Sequence, residues 1–157
     1  MIIMDNNPSE QLAPRTQLEL KLGEQLNALI SASHALNVRA AARFDSSLQP
    51  AAFLIVRWLL SYGATSATAL AEATAMDRSS VSRLVNQLKG LHYVQSETAP
   101  EDRRGVRLSL TELGRERTLE ALKEKESAFY ASISQWDDAT LQHFTEMLQN
   151  FNSYNLK

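Results

Sequence analysis

The stretch that decides the fold is Asp77-Arg-Ser-Ser-Val-Ser-Arg-Leu-Val-Asn-Gln-Leu-Lys-Gly-Leu91. Val81, Leu84, Val85, Leu88 and Leu91 recur at helical spacing and form one stripe that must be buried. Helical geometry sets Ser79, Arg83, Asn86 and Gly90 on the opposite face, flanked by Ser80, Ser82 and Gln87. That outer face is small, hydrogen-bonding and free of acid. Asp77 stands where the helix needs an N-cap. Taken alone, such a face is more often a solvated surface than a reader of anything, so its neighbours must decide.

Working outward, Ser66 caps a short helix through Leu70, Ala71 and Ala73 that ends near Met76. Beyond Leu91, Tyr93 to Thr98 is β-permissive. Ala99-Pro-Glu-Asp-Arg-Arg-Gly105 is a turn-rich charged tip, and Val106-Arg-Leu-Ser-Leu110 alternates apolar and polar with period two. Two short helices joined by a tight turn, the second with a polar outer face, then a hairpin with a basic tip, is the order of a winged helix-turn-helix DNA reader. Further out, Leu18, Leu22, Leu26, Leu29, Ile30 and Leu36 mark a long amphipathic helix from Thr16 to about Ala42. A nearly continuous apolar run after Pro50 predicts a core helix ending at Gly63. Thr111 caps a helix reaching about Ser134, and Asp137 or Asp138 caps a last one bearing Leu141, Phe144, Met147, Leu148, Phe151 and Tyr154. The expected class is therefore mainly α (α+β): about six helices and a small antiparallel β-wing. The expected divisions are an N-terminal tail at 1–14, a dimerisation helix at 15–47, a DNA-binding domain at 48–112 and dimerisation helices at 113–157.

Composition narrows the chemistry. The 157 residues carry 16 Lys or Arg against 18 Asp or Glu, a net charge of −2, with 44% hydrophobic residues and no cysteine. Thiolate metal sites, disulfides and thiol redox sensing are excluded, and a reducing cytoplasm is the expected location. The most apolar run, Phe53 to Leu60, is interrupted by Arg57 and falls far short of the ~20 residues of a membrane helix. Within Leu48 to Thr111 the charge is +2 and the flanks carry −4. Screening over roughly 8 Å makes that local excess matter more than the total. His34, His92 and His143 lie far apart with no metal-ligand spacing, and no nucleophile elbow, P-loop or dinucleotide-binding glycine pattern occurs. Neither an enzyme nor a metal or other cofactor is expected.

The run Pro100-Glu-Asp-Arg-Arg-Gly-Val-Arg-Leu-Ser-Leu-Thr-Glu-Leu-Gly114 closely resembles the wing of the multiple-antibiotic-resistance regulator (MarR) family of transcriptional regulators. There an acid-x-Arg pair precedes a strand and a Leu-Thr-x-x-Gly helix start. Leu70-Ala-Glu72, Arg78 to Leu88, Tyr93-Val94 and Leu48 to Phe53 resemble the family's third helix, recognition helix, first wing strand and second-helix start. The resemblance covers about Leu48 to Gly114. Three positions depart from it: His92 replaces a frequent Gly and implies a strained turn, Ser96 replaces an Arg, and Ala69 replaces a Glu that would complete a capping box.

By geometry, Arg83 and Asn86 are placed to reach base edges, each such pair giving about 1 to 3 kcal/mol of discrimination. Gln87 flanks them, and Ser66, Ser79, Ser80 and Ser82 lie near helix starts where hydroxyls and free N–H groups meet phosphate. By resemblance, Arg104 enters the minor groove with Asp102 orienting it, and Arg103 and Arg107 contact the backbone. The long terminal helices carry more apolar surface than one small domain covers, which predicts a homodimer on palindromic double-stranded DNA with half-sites about 34 Å apart. The resemblance also implies a small aromatic or phenolic effector between the dimer helices and the DNA-binding lobe, near His34, Arg39, Phe53, Arg57 and Trp58. The expected function is a ligand-responsive repressor; the alternative is a winged-helix module that binds protein without reading DNA.

Overall fold

The computed structural model describes residues 13–98 and 105–155. In chain order it consists of α1 (Pro14–Phe44), α2 (Pro50–Tyr62), α3 (Ala67–Thr74), α4 (Arg78–Gly90), β1 (Val94–Thr98), β2 (Val106–Leu110), α5 (Glu112–Ile133) and α6 (Asp138–Asn155). Each start has a local cause. Pro14 and Pro50 open α1 and α2, where the missing N–H is an orphan anyway. The side chains of Ser66, Asp77 and Thr111 accept from the backbone N–H of Ala69, Ser80 and Gly114, capping α3, α4 and α5. Asp137 does the same for α6 through Thr140 at 2.7 Å.

The ends are equally specific. α4 closes in a Schellman motif: the Tyr93 N–H reaches Leu88 O at 2.9 Å and the His92 N–H reaches Lys89 O at 3.0 Å. His92 takes φ +62°, the left-handed conformation expected of a Gly there, so the strained turn foreseen at this position is present. α3 ends the same way on Ala75, at φ +54°. β1 and β2 pair antiparallel, Val94 against Leu110 and Thr98 against Val106. Thr65 adds an antiparallel bridge to Leu108, stitching the α2–α3 turn to the wing. The period-two reading of β2 holds for one side chain in full: Leu108 is buried, Leu110 is half-buried, and Val106 is 58% exposed because the hairpin has run beyond the core by then.

The core sits where α2, α4 and the ends of α1 and β1 converge. Phe53, Ile55, Val56, Leu70, Leu84 and Leu88 are fully enclosed, each contributing about 2 kcal/mol of transfer energy. α1 packs along α5 and α2, and α3 packs on α4. Over most of its length, however, α1 buries nothing: only Ala40, Ala41 and Phe44 are buried. Leu18, Leu22, Leu29 and Ile30 are each more than half exposed. Among the described residues α6 has no buried side chain, and Phe144, Met147 and Tyr154 lie open.

Gly114 explains the Leu-Thr-x-x-Gly start of α5. A Cβ there would lie 2.0 Å from the Tyr93 carbonyl oxygen. Thr111 closes the same junction, donating its N–H to Tyr93 O at 3.0 Å and its hydroxyl to His92 O at 2.6 Å. Gly114→Ala is therefore expected to cost about 3 kcal/mol or more by forcing backbone apart. His92→Gly, which relieves the left-handed strain, is expected to gain about 1 kcal/mol. Urea unfolding midpoints measured on both variants check the two signs together.

Candidate nucleic-acid interface

α4 presents the face that its spacing predicts. Ser79, Ser82, Arg83, Asn86 and Gln87 are exposed, while Val81, Leu84, Val85 and Leu88 are buried beneath them; Leu91, expected in the same stripe, is 40% exposed because it is the C-cap, where the chain leaves the helical path. Arg83 reaches across to the side-chain oxygen of Gln49, the residue capping α2, at 3.4 Å. This long, exposed contact leaves the guanidinium easily drawn to a better acceptor. Asn86 and Ser82 border a shallow groove of about 240 Å³ whose other wall is Val106 and Leu108 of the wing. Arg107 of β2 donates to the Ala64 carbonyl at 2.7 Å, holding the wing against the α2–α3 turn. Its guanidinium is thus engaged in structure as well as being exposed. Ser66 is exposed, with its oxygen committed as the α3 cap. Asp102, Arg103 and Arg104 lie outside the described residues.

The start of α4 holds an arrangement that spacing alone does not reveal. Asp77 Oδ1 accepts from Ser79 Oγ at 2.6 Å and from the Ser80 N–H at 2.8 Å, and Oδ2 accepts from Ser80 Oγ at 2.6 Å. Both hydroxyls singled out as phosphate donors are therefore turned onto the cap. To donate to a phosphate they must be drawn away from a carboxylate; Ser82 carries no such commitment. The Ser79 hydrogen bond first, then those from Ser80, hold the Asp77 carboxyl well below its ordinary value of 3.8.

The five residues expected around an effector do not meet in one place. Phe53 is buried in the core, its ring 5.8 Å from that of Phe44. Arg39 pairs with Glu124 at 3.2 Å, and Arg43 shares the same carboxylate at 2.8 Å. Arg57 and Trp58 line a groove of about 310 Å³ between α2 and α3. His34 lines a separate groove of about 830 Å³ between α1 and α5, walled by Leu29, Ile30, Leu36, Ala128 and Phe129. Sequence reasoning missed the polar end of this second groove. The Asn37 side-chain oxygen accepts from Lys125 at 2.9 Å and from Arg57 at 3.3 Å. Among the described residues neither cation has an acidic partner. Burial, and then the nearby Arg57 charge, press the Lys125 ammonium below its ordinary value of 10.5. No local signal could have found this cluster, whose members come from three helices, with Lys125 88 residues from Asn37 in the chain.

Among the described residues there is no helix long and apolar enough to cross a membrane, and no group of three or more residues able to hold a metal ion. The folded Asp77 carboxyl takes up its proton only at lower pH than the unfolded chain does. The cap's contribution is thus complete above the ordinary value of 3.8 and fades as pH falls below it. Thermal melts of Asp77→Asn and the parent chain should differ clearly near neutral pH, with the parent higher. The gap should narrow as pH falls below 3.8 and close only where the folded carboxyl itself takes up a proton, well below that value.

Residues 46–105 match the model of the MarR family. Of the solved structures similar to this chain, a MarR family protein from Bacillus stearothermophilus is 22% identical, with a TM-score of 0.69. That likeness covers 93% of this chain and 99% of the other. Wild-type MarR from E. coli, in its apo form, is 15% identical with a TM-score of 0.62, covering 83% and 96%. Bordetella bronchiseptica BpsR, whose DNA binding is regulated by 6-hydroxynicotinic acid, is 26% identical with a TM-score of 0.50, covering 82% and 98%. A search of curated proteins finds no match.

Proposed function

Starting from a chain of the MarR family, with that family's winged-helix fold, we propose that it is a DNA-binding transcription regulator acting as a homodimer on a palindromic operator. The observation that carries this reading is the exposed, acid-free face of α4 bearing Ser82, Arg83, Asn86 and Gln87 beside a two-stranded wing. A guanidinium matches two acceptors of guanine and a carboxamide matches adenine in the major groove. Arg103 and Arg104 are the proposed wing contacts, Asp102 orients Arg104, and Arg107 and the hydroxyls of Ser66, Ser79 and Ser80 are proposed for the backbone.

Dimerisation is supported by the apolar side chains that α1 and α6 leave open, among them Leu22, Ile30, Phe144 and Met147. A monomer that kept them in water would forgo the transfer energy of every one. Two-fold pairing presents two recognition helices, hence the palindrome.

The reading extends to repression relieved by a small aromatic acid or phenol, seated in the groove between α1 and α5. Its walls are largely apolar, and its polar end holds half-buried Lys125 and Asn37, whose side-chain oxygen also accepts from Arg57 behind it. An anion placed there would repay a desolvation that Asn37 only partly offsets. Such an effector releases DNA to the extent that it prefers the non-binding arrangement of the two lobes.

Selection of bound duplexes from a random pool, followed by titration at several salt concentrations, tests the first part. A palindrome should be enriched, with affinity falling steeply in salt. Arg83→Ala should lose about 10- to 100-fold on the selected site while changing non-specific binding little. Arg104→Ala should weaken both. No enrichment at low salt by folded protein overturns the reading in favour of a protein-binding module. For the effector, 6-hydroxynicotinic acid and salicylic acid are the probes. Lys125→Met should raise the concentration that releases the operator about tenfold, as expected for losing one charged hydrogen bond. An unchanged release curve removes the groove from the account.

A further inference from the structure

Tyr93 occupies the crossing of four elements. Its N–H closes α4 on Leu88 O, and its carbonyl accepts from Thr111, at the start of α5, and lies against Gly114. Its backbone therefore moves with the end of the recognition helix. Its side chain points the other way. The ring lies 4.7 Å from that of Phe44, the last residue of α1, and the hydroxyl donates to Asp45 Oδ2 at 2.9 Å. The Asp45 carboxylate is itself oriented, because Oδ1 accepts from the Ser47 N–H at 2.9 Å and from the Ser47 hydroxyl.

We propose that the Tyr93–Asp45 hydrogen bond is a positioning strut that fixes the angle between α1 and the recognition helix, and thereby the half-site spacing the dimer accepts. The proposal rests on the dimeric DNA-reading function above for its second clause only. The end of α1 also meets the core through Ala40, Ala41 and the rings of Phe44, Phe53 and Tyr93, and Arg39 and Arg43 tie it to Glu124 of α5; the Tyr93–Asp45 bond is the contact that runs directly to the end of the recognition helix. Ring contacts of this kind favour tilted arrangements but tolerate small rotations at little cost, because their preferred geometries are broad and worth only about 1 kcal/mol. The hydrogen bond supplies direction, joining a ring that is only 6% exposed to the half-buried carboxylate at the end of α1. Hydrogen bonds from Ser47 first of all hold the Asp45 carboxyl below its ordinary value, and burial raises the Tyr93 phenol. The pair thus keeps one form, phenol to carboxylate, throughout the neutral range.

The lever is long enough to matter. The 13 residues of α4 extend about 20 Å. A tilt of about 10° at its C-terminal end moves the far end about 3 Å, close to the rise of one base pair. A strut that holds the tilt within a few degrees lets a dimer distinguish spacings that differ by one pair.

The test uses Tyr93→Phe, which keeps the ring and removes the hydroxyl, with Asp45→Asn as the conservative variant, whose one carboxamide oxygen stays with Ser47 while its N–H group donates to the Tyr93 hydroxyl oxygen in the reverse sense. The chain has no cysteine, so Ala35→Cys with Gln87→Cys gives two unique positions for spin labels. Diluted into excess unlabelled chain without DNA, this pair reports the angle between α1 and α4 within one protomer. Tyr93→Phe is expected to broaden that distance distribution, and Asp45→Asn to leave it near the parent's. On operators with half-sites one base pair closer, as selected, or one farther, the parent should discriminate at least tenfold. Tyr93→Phe should discriminate threefold or less, with unchanged affinity for an isolated half-site. Unchanged label distances in Tyr93→Phe, with thermal melting showing the fold intact, overturn the strut. Broadened distances with an unchanged spacing profile overturn its role in spacing. Broadened distances in a chain that selects no palindrome support the strut and overturn the dimeric reading instead.

Discussion

The approach of Gly114 to the Tyr93 carbonyl is the constraint on which the rest of the fold hangs. A helix start, a helix end and both strand ends meet there, and only a residue without a Cβ lets their backbones come that close. Thr111 then uses one residue three ways, donating its N–H to Tyr93 and its hydroxyl to His92 and accepting from the Gly114 N–H. Since β2 runs directly into this junction and α4 ends in it, the relative setting of wing and recognition helix follows from backbone contact rather than from side-chain packing. Rigid placement of this kind suits a reader of DNA, whose base contacts depend on angstrom-scale register.

The recognition helix shows how stability and recognition compete for the same groups. Asp77 draws in the Ser79 and Ser80 hydroxyls and the Ser80 N–H, giving α4 a firm start. It also places a negative charge at the helix end that otherwise attracts phosphate. Under the proposed reading, this favours base contact from the middle of the helix, at Arg83 and Asn86, and backbone contact from the wing. Buried Leu84 and Leu88 hold that middle section to the core, so its outward side chains ride on a stable base.

The long helices have the opposite character. α1 and α6 are well-formed elements whose apolar faces are left open within one chain, and a helix of this length keeps its shape in water mainly by packing that face on something. The groove between α1 and α5 follows from the same looseness. It is wide, largely apolar on its walls, and bounded at one end by Asn37 and Lys125, with Arg57 of α2 hydrogen-bonded to Asn37 behind them. An anion at that end would touch the helix of the proposed dimer and the helix of the DNA-binding lobe at once.

Element order, helix caps, the strand pair and the buried stripe of α4 were legible in the sequence because each depends on neighbours within a few residues: Ser66 on Ala69, Asp77 on Ser80, Thr111 on Gly114, Leu84 on Leu88. The left-handed turn at His92 was legible too, since the Schellman geometry demands it of whatever residue stands there. Only the tertiary structure decided which groups share a site. Phe53 was assigned to a ligand and lies in the core, Arg39 is taken up by Glu124, and Lys125 and Asn37, unremarkable in sequence, face each other across two helices. Likewise Ser79 and Ser80 are outward by helical period, yet their hydroxyls are spoken for by Asp77. Periodicity determines the face on which a side chain emerges, a local property of the backbone. What it meets there depends on how helices distant in the chain are laid together, and that is set by packing of the whole core.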